Sequence, residues 1–373
     1  MLPTTRGNQP VLVYGAYGHT ANFIVAELID RGFTPVLSGR DHGKLQAASA
    51  TYRGLEFRVA AVDDPSALDR AMNGVAAVIN AAGPFATTAA PVFEAALRAR
   101  IPYLDVAAEP DVVSAAMKQN AARALQAGIA FAPAIGFYGG LGDLLATAAM
   151  GDWPQADKIT LAFALSSWKP TAGTRLTIEA AEKRRGGRRL AFSAKQGLEL
   201  RSDAAPVAEW DFPAPIGRQS VAAEFVTADS VTMSHHLTTR AIDQYMTLAP
   251  LKDLSDQDRS PPPAAVDARG RSAQTFLIEA VVKLGKQQRR AVARGQDIYA
   301  VTAPLAVEAL CRLFARPRPW HGAATAGALG EAREFLAALA PRHLTFEVHQ
   351  DHSLEDRDAY SAGQPFPHEG GFH

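Results

Sequence analysis

The chain has 373 residues, 47% of them hydrophobic, which at roughly 100 to 200 residues per domain is enough for two domains with sizeable cores. Its 38 basic residues balance 38 acidic ones, which excludes a global field drawing nucleic acid, an anionic membrane or a strongly acidic substrate. The single cysteine, Cys311, excludes an internal disulfide and a cysteine-rich zinc site.

The opening Met1 to Pro10 is polar and lacks the apolar core of a signal peptide, and no run of about 20 apolar residues follows. With a lone thiol this predicts a cytoplasmic protein that is neither exported nor membrane-spanning. Strands are then predicted at 11–14, 35–37, 56–62, 77–80, 103–106 and 129–133, each apolar enough to be covered on both faces. Helices are predicted at 21–31, 65–72, 90–98 and 112–127, with Gly32 and Gly128 where C-caps belong. This alternation implies βαβ units and a parallel sheet.

From Gly140 the rhythm changes. A helix at 141–150 leads into strands at 159–165, 189–193 and 221–225, the pattern of an α+β domain. Ser260-Pro261-Pro262-Pro263 cannot donate backbone hydrogen bonds through three prolines and is predicted as an exposed connector. Helices follow at 275–294, 304–314 and 323–339, then a strand at 344–348 and a polar tail rich in Gly, His and Pro, expected to be disordered. No fixed-period repeat is present.

The first strand runs into Gly15-Ala16-Tyr17-Gly18-His19-Thr20-Ala21, a G-x-x-G-x-x-A loop opening the first helix. In that position Gly15 permits the tight turn, Gly18 admits a pyrophosphate, and Ala21 lets helix and strand approach, while free N–H groups at the helix start face the anion. The alternative is an ordinary tight turn without ligand. The second strand ends in Ser38-Gly39-Arg40-Asp41. NAD needs a carboxylate there for its ribose, whereas NADP needs a cation for its 2′-phosphate. Arg40 supplies the cation, with Ser38 as a second donor and Lys44 near, so NADP(H) is the expected cofactor. The plainer reading makes Arg40 a solvated charge and Asp41 a helix cap. Asp63 either fixes the adenine edge or caps the helix starting at Pro65. The fold class expected is α/β: a doubly wound Rossmann domain at 10–139, and an α+β substrate or dimerisation domain at 140–295. Residues 296–350 are expected to return helices to the first domain and add a last strand, with 351–373 as tail.

After the fourth strand comes Asn80-Ala81-Ala82-Gly83-Pro84-Phe85, and after the fifth Tyr103-Leu104-Asp105 with Glu109 beyond it. Together with the glycine loop and Leu37-Ser38-Gly39-Arg40-Asp41, this set resembles the NADP-binding domain of saccharopine dehydrogenase-like oxidoreductases, which include trans-acting enoyl reductases. Weaker matches are Ala172-Gly173-Thr174 and 295–302. The resemblance implies that Gly83, Pro84 and Phe85 form the turn under the nicotinamide ribose, with Ala82 a further cofactor-binding candidate, and that the protein reduces an imine, enoyl or carbonyl group of a small or carrier-bound substrate. Family members often carry an acid-containing segment after the sixth strand, where this chain has Gly136-Phe137-Tyr138-Gly139-Gly140-Leu141-Gly142-Asp143.

Hydride transfer needs a group supplying a proton beside the acceptor carbon. Tyr103, Asp105 and Tyr138 lie near strand carboxyl ends and are the candidate catalytic residues, with His235 and His236 from the second domain. Asp105 is the strongest of these, although a carboxylate there also suits accepting loop N–H groups. The paired histidines read equally as strand residues on opposite faces. No tyrosine has a lysine four residues later, which argues against the short-chain dehydrogenase mechanism, and His349 with His352 reads as a solvated pair at a strand end rather than a metal site. Gly-x-Ser-x-Gly, Walker and His-Glu-x-x-His motifs are absent. The basic run Lys183 to Arg189 is either a solvated loop tip or a dock for an acidic carrier protein. A homodimer through the second domain, and a non-catalytic NADP sensor on the same fold, are the remaining expectations.

Overall fold

The computed structural model describes residues 9–255 and 261–353. The tail from 354 onward and Ser260 lie outside these residues.

The first half alternates strand and helix throughout: β1 (Pro10–Tyr14), α1 (His19–Asp30), β2 (Thr34–Gly39), α2 (His42–Thr51), β3 (Phe57–Val59), α3 (Pro65–Met72), β4 (Ala77–Asn80), α4 (Phe85–Ala99), β5 (Tyr103–Asp105), α5 (Pro110–Ala127) and β6 (Ala130–Ala132). Its strands pair in parallel in the order β3-β2-β1-β4-β5-β6, so strand order reverses between β1 and β4 and opens a crevice at their carboxyl ends. Local signals set the helix ends. The Asp41 carboxylate accepts from Lys44 N at 3.0 Å to cap α2, Asp64 accepts from Ala67 N at 2.9 Å to cap α3, and Gly128, at φ 69°, closes α5.

The second half contains α6 (Gly142–Met150), β7 (Lys158–Leu165), α7 (Ala172–Arg185), a small hairpin of β8 (Arg189–Ser193) and β9 (Gly197–Arg201), then β10 (Val207–Phe212), β11 (Gly217–Ala223), α8 (Ala228–His236), β12 (Ile242–Thr247) and α9 (Leu248–Ser255). After the proline segment come β13 (Thr275–Leu284), β14 (Gln287–Gln296), α10 (Ile298–Ala315), β15 (Gly322–Ala323), α11 (Ala332–Leu339) and β16 (Leu344–Ser353). Seven strands form a second, mixed sheet in the order β10-β11-β12-β7-β13-β14-β16, and β15 adds a parallel strand beside β6 in the first. One apolar core runs from Val13 and Leu104 of the first sheet through Leu145 of α6 and Leu305 of α10 to Leu161 and Ile278 of the second. Helix α10 has a mean hydropathy of 1.5, and 78% of that stretch is buried inside the protein, so it is the helix of a core.

Two expected helices are otherwise. Residues 275–294 form the β13–β14 hairpin, turning at Gly285 with φ 58°. Phe276 to Val282 are buried on both faces, so the alternation that marks a strand was erased and a continuous apolar run remained. Within 323–339 only Ala332–Leu339 is helical, preceded by β15 and turns. Strand β3 is also shorter than expected, at Phe57–Val59.

Candidate functional site

The crevice at the strand reversal is a cleft of about 630 Å³, lined from both halves of the chain. That volume falls in the range of small-molecule and cofactor sites, roughly 300–1,000 Å³. At its floor Gly15 N and Ala16 N donate to Ser38 O at 2.8 and 3.0 Å, and Gly18 N donates to Gly15 O at 2.8 Å. Gly15 has φ 81°, and a Cβ there would stand 2.7 Å from Ala82 Cβ, so the turn admits only glycine. Gly18 is the N-cap of α1, with no side-chain cap and no acid in the first turn, so the first helical N–H groups stay open to the cleft. Those donors, beside two glycines without side chains, fit a diphosphate bridge.

At the β2 end, Arg40 and Lys44 line the cleft. Arg40 is exposed and has no ion pair among the described residues, while Lys44 Nζ lies 5.6 Å from the centre of the Tyr17 ring. That ring covers Gly39 so closely that a Cβ there would lie 2.7 Å from it. Asp41 turns to α2 instead: hydrogen bonding from the Lys44 backbone holds its carboxyl below the usual value. Tyr17, His19, Thr20, Ala82, Gly83, Pro84 and Phe85 all line the cleft as well. Two expected contacts require correction. Ser38 is fully buried, with its Oγ donating to Arg58 O at 2.8 Å, because alternate strand residues face opposite sides and this one faces the core. Asp63 is exposed outside the cleft, where Val62 is the lining residue, and Asp64 rather than Asp63 caps α3.

At the β4 end the Ala82–Phe85 turn is braced by Asn80 Oδ1, which accepts from Ala82 N at 3.1 Å, and by Glu109 Oε1, which accepts from Phe85 N at 3.2 Å. Burial pushes the Glu109 carboxyl above its ordinary value. The opposite wall comes from the second half. Thr171 caps α7, its Oγ1 accepting from Thr174 N at 3.1 Å, and this brings Thr177 Oγ1 to 3.0 Å from where a Gly83 Cβ would sit. The hydroxyls of Thr174 and Tyr299 lie 3.0 Å apart, and Thr302 Oγ1 accepts from Phe137 N at 3.0 Å. Sequence reasoning did not single out this wall as part of the site. The Thr171 cap ahead of a helical pattern was its legible signal, but nothing local placed it across the cleft.

Tyr138 lies in this region on an irregular turn, extended itself at φ −88° and ψ 128°, followed by Gly139 at φ 97°, where a Cβ would meet Ala134 O at 2.7 Å. Its ring packs on Trp168 with centroids 5.5 Å apart, and its hydroxyl is buried without a hydrogen-bond partner. Burial pushes that hydroxyl well above its usual value, with Tyr299 and Asp229 adding to the rise. His19 Nε2 is likewise buried and unpartnered, and burial lowers that imidazole, so it is neutral at neutral pH.

Asp105 and Tyr103 do not reach the cleft. Asp105 is 1% exposed: Oδ1 accepts from Ala107 N and Ala134 N at 3.0 and 2.8 Å, and Oδ2 accepts from Tyr103 OH at 2.8 Å. The carboxylate ties two strand-end loops together, the alternative role already weighed for it. Asp105→Ala should therefore destabilise the fold by about 3 kcal/mol, since two buried N–H groups and a hydroxyl lose their acceptor. Tyr103→Phe should cost about 1 kcal/mol. Urea unfolding measures both, and a large loss of turnover by folded Tyr103→Phe would show that the pair acts in chemistry.

His235 and His236 end a helix, α8, and neither lines the cleft. His236 Nε2 meets Asp143 Oδ1 at 2.6 Å; burial opposes its charge, but Asp143 prevails and the imidazole's pKa is raised. Nearby Asp229 is fully buried, and desolvation pushes its carboxyl from 3.8 up to about 6. An acid raised on folding destabilises the native state once both states ionise. Stability should thus fall as pH rises from about 4 through 6, by an amount on the order of 3 kcal/mol. Asp229→Asn should flatten this part of the urea-midpoint profile, and an unchanged profile would remove Asp229 as its source.

Four of the five cations of the basic run are paired within the chain, and Arg188 donates to the Arg185 carbonyl instead. Arg184 and Arg185 bond Asp111 at 3.1 and 2.9 Å, Lys183 pairs with Glu179, and Arg189 bridges Asp203 and Glu224. His349 lies on β16 beside Glu347 at 3.3 Å, and the His352 side chain is outside the described residues. Among the described residues no three His, Cys, Asp or Glu side chains gather as a metal site.

Residues 11–131 match the saccharopine dehydrogenase NADP binding domain. No curated protein sequence matches the chain. Among solved structures, apo saccharopine dehydrogenase (L-Glu forming) from Saccharomyces cerevisiae superposes with a TM-score of 0.60 at 12% identity, covering 91% of this chain and 99% of that one. A nucleoside-diphosphate-sugar epimerase from Pseudomonas aeruginosa shares 20% identity over 41% of this chain and 62% of its own, and vestitone reductase from alfalfa shares 18% over 26% and 35%. Their TM-scores, 0.29 and 0.22, are too low to carry an argument. Residues 11–131 thus carry the likeness of a saccharopine dehydrogenase NADP binding domain, which supports an NAD(P)-dependent oxidoreductase, and the chain as a whole has the fold of that yeast enzyme.

Proposed function

We propose that the protein is an NADP(H)-dependent reductase of an imine, enoyl or carbonyl group. The observation that carries the choice of cofactor is Arg40, exposed on the cleft rim at the end of β2 without an ion pair among the described residues, while the neighbouring carboxylate of Asp41 is committed to α2. The open mouth of α1 with Gly15 and Gly18 would hold the diphosphate, and the Ala82–Phe85 turn would lie under the nicotinamide ribose.

When bound, the cofactor supplies a hydride to an electrophilic carbon. The chain's own part is to exclude water, orient the acceptor between the Phe85 and α7 walls, and place a hydroxyl beside the atom that gains the proton. We assign that contact to Tyr138, which lines the cleft and whose buried hydroxyl has no other partner. Purified protein mixed with NADPH and a panel of ketones, imines and enoyl thioesters should lose absorbance at the reduced-nicotinamide band with at least one of them. NADPH-bound protein that is silent across the panel would instead mark a sensor, a reading favoured by the withdrawal of Asp105 and Tyr103 from the cleft. A carrier-dependent enoyl reductase would show a strong preference for carrier-bound over free thioester.

A further inference from the structure

Beyond Arg40 and Lys44 at the β2 end, the side chains lining the cleft include no arginine or lysine, and the histidine among them, His19, is held neutral. The nearby Lys169 is exposed and lines a separate hollow of about 150 Å³ behind Tyr299. The acid that borders the β4 end, Glu109, is 5% exposed and already accepts from two backbone N–H groups. Around Tyr138 the walls are aromatic: Phe137 packs on it with centroids 4.9 Å apart and Trp168 at 5.5 Å, while Leu176, at the cleft, is 52% exposed.

A carboxylate brought into such a place loses its hydration and finds no cation, at a cost of several kcal/mol. An uncharged body loses nothing comparable and gains apolar and aromatic contact. The mouth of α7 also faces the cleft, but Thr171 already caps it and it abuts Gly83, on the dinucleotide side. The hydroxyl of Tyr138 is buried in this aromatic wall without a hydrogen-bond partner, as His19 Nε2 is at the α1 end of the cleft, so a ligand's oxygen or nitrogen that reached it would complete it.

We infer that the pocket selects an uncharged substrate with an aryl or alkyl body, its reactive oxygen or nitrogen received by the Tyr138 hydroxyl, and rejects carboxylate-bearing amino and keto acids. This rests on the dinucleotide reading above. It separates the protein from its yeast fold neighbour, which is described as forming L-Glu, a diacid.

The test is equilibrium binding to the NADP-loaded protein by calorimetry, using matched neutral and charged pairs: methyl phenylglyoxylate against phenylglyoxylate, and methyl cinnamate against cinnamate. Each ester should bind at least about tenfold more tightly than its acid. Tyr138→Phe should weaken binding of the phenylglyoxylate ester about fivefold to tenfold while leaving NADPH affinity unchanged. Equal or tighter binding of the acids, or no binding of either ester by protein that holds NADP normally, overturns the inference. Loss of NADP binding altogether would overturn the cofactor reading instead, and the ester-to-acid comparison can still be read on the free protein.

Discussion

Arg40→Ala is expected to weaken NADPH binding by about ten- to a hundredfold and to leave NADH binding nearly unchanged. Charge-assisted hydrogen bonds are worth about 1.5–3 kcal/mol each, and every 1.4 kcal/mol is a factor of about ten in affinity. Only NADPH carries the 2′-phosphate that a guanidinium could take bidentately. The arginine is exposed and has no ion pair among the described residues, so its removal should strand no partner and stability should not move. Calorimetric titration of both dinucleotides checks this. Equal losses for NADPH and NADH would mean that Arg40 does not read the phosphate, and no loss for either would place the adenosine elsewhere.

Gly18→Val should abolish binding of both dinucleotides, by about a hundredfold or more, in a protein that still folds. Gly18 has an ordinary extended backbone, φ −77° and ψ 156°, and the nearest atom to a Cβ there is Gly15 O at 3.1 Å, which a small shift relieves. The branched side chain would then fill the space before the open N–H groups of α1, where the proposed diphosphate would lie. Gly15→Val makes the contrasting control. With φ 81° and Ala82 backbone atoms within 2.9 Å of its Cβ, it should fail to fold rather than merely fail to bind. A circular-dichroism melt with a titration for each variant separates the two effects, and wild-type affinity in folded Gly18→Val would show that the loop holds no diphosphate.

Much of the first half is legible residue by residue. The run Val11 to Tyr14 is buried because a parallel sheet covers both faces, and a strand followed by Gly-x-x-Gly and a helix admits few topologies. Arg40 and the Ala82–Phe85 turn follow from that register, since parallel strands end at one rim. Ser38 shows the limit of such reading. Its place at the strand end was correct, but its direction depends on the pleat, and one residue decides whether a hydroxyl meets a ligand or the Arg58 carbonyl.

In the second half, pattern alone misled at β13 and β14. Their apolar run is buried between two neighbouring strands and two faces, so it carries no period that separates strand from helix. Asp105 and Tyr103 had the right chemistry at the right strand end, yet the Ala134 N–H that completes their network comes from 29 residues away.

Composition, the glycine loop and the β2-end cation were determined by the sequence itself, because turns, helix mouths and strand ends are local and their residue requirements are strict. The tertiary structure alone decided that Ser38 and Asp105 turn away from the cleft, that α7 forms its far wall, that four of the five cations of the basic run pair with carboxylates, and that the cleft around Tyr138 is lined by aromatic rings. The far wall arises where α7 meets the Ala82–Phe85 turn, Thr177 beside Gly83, across a long stretch of intervening chain, and no local pattern encodes such a meeting.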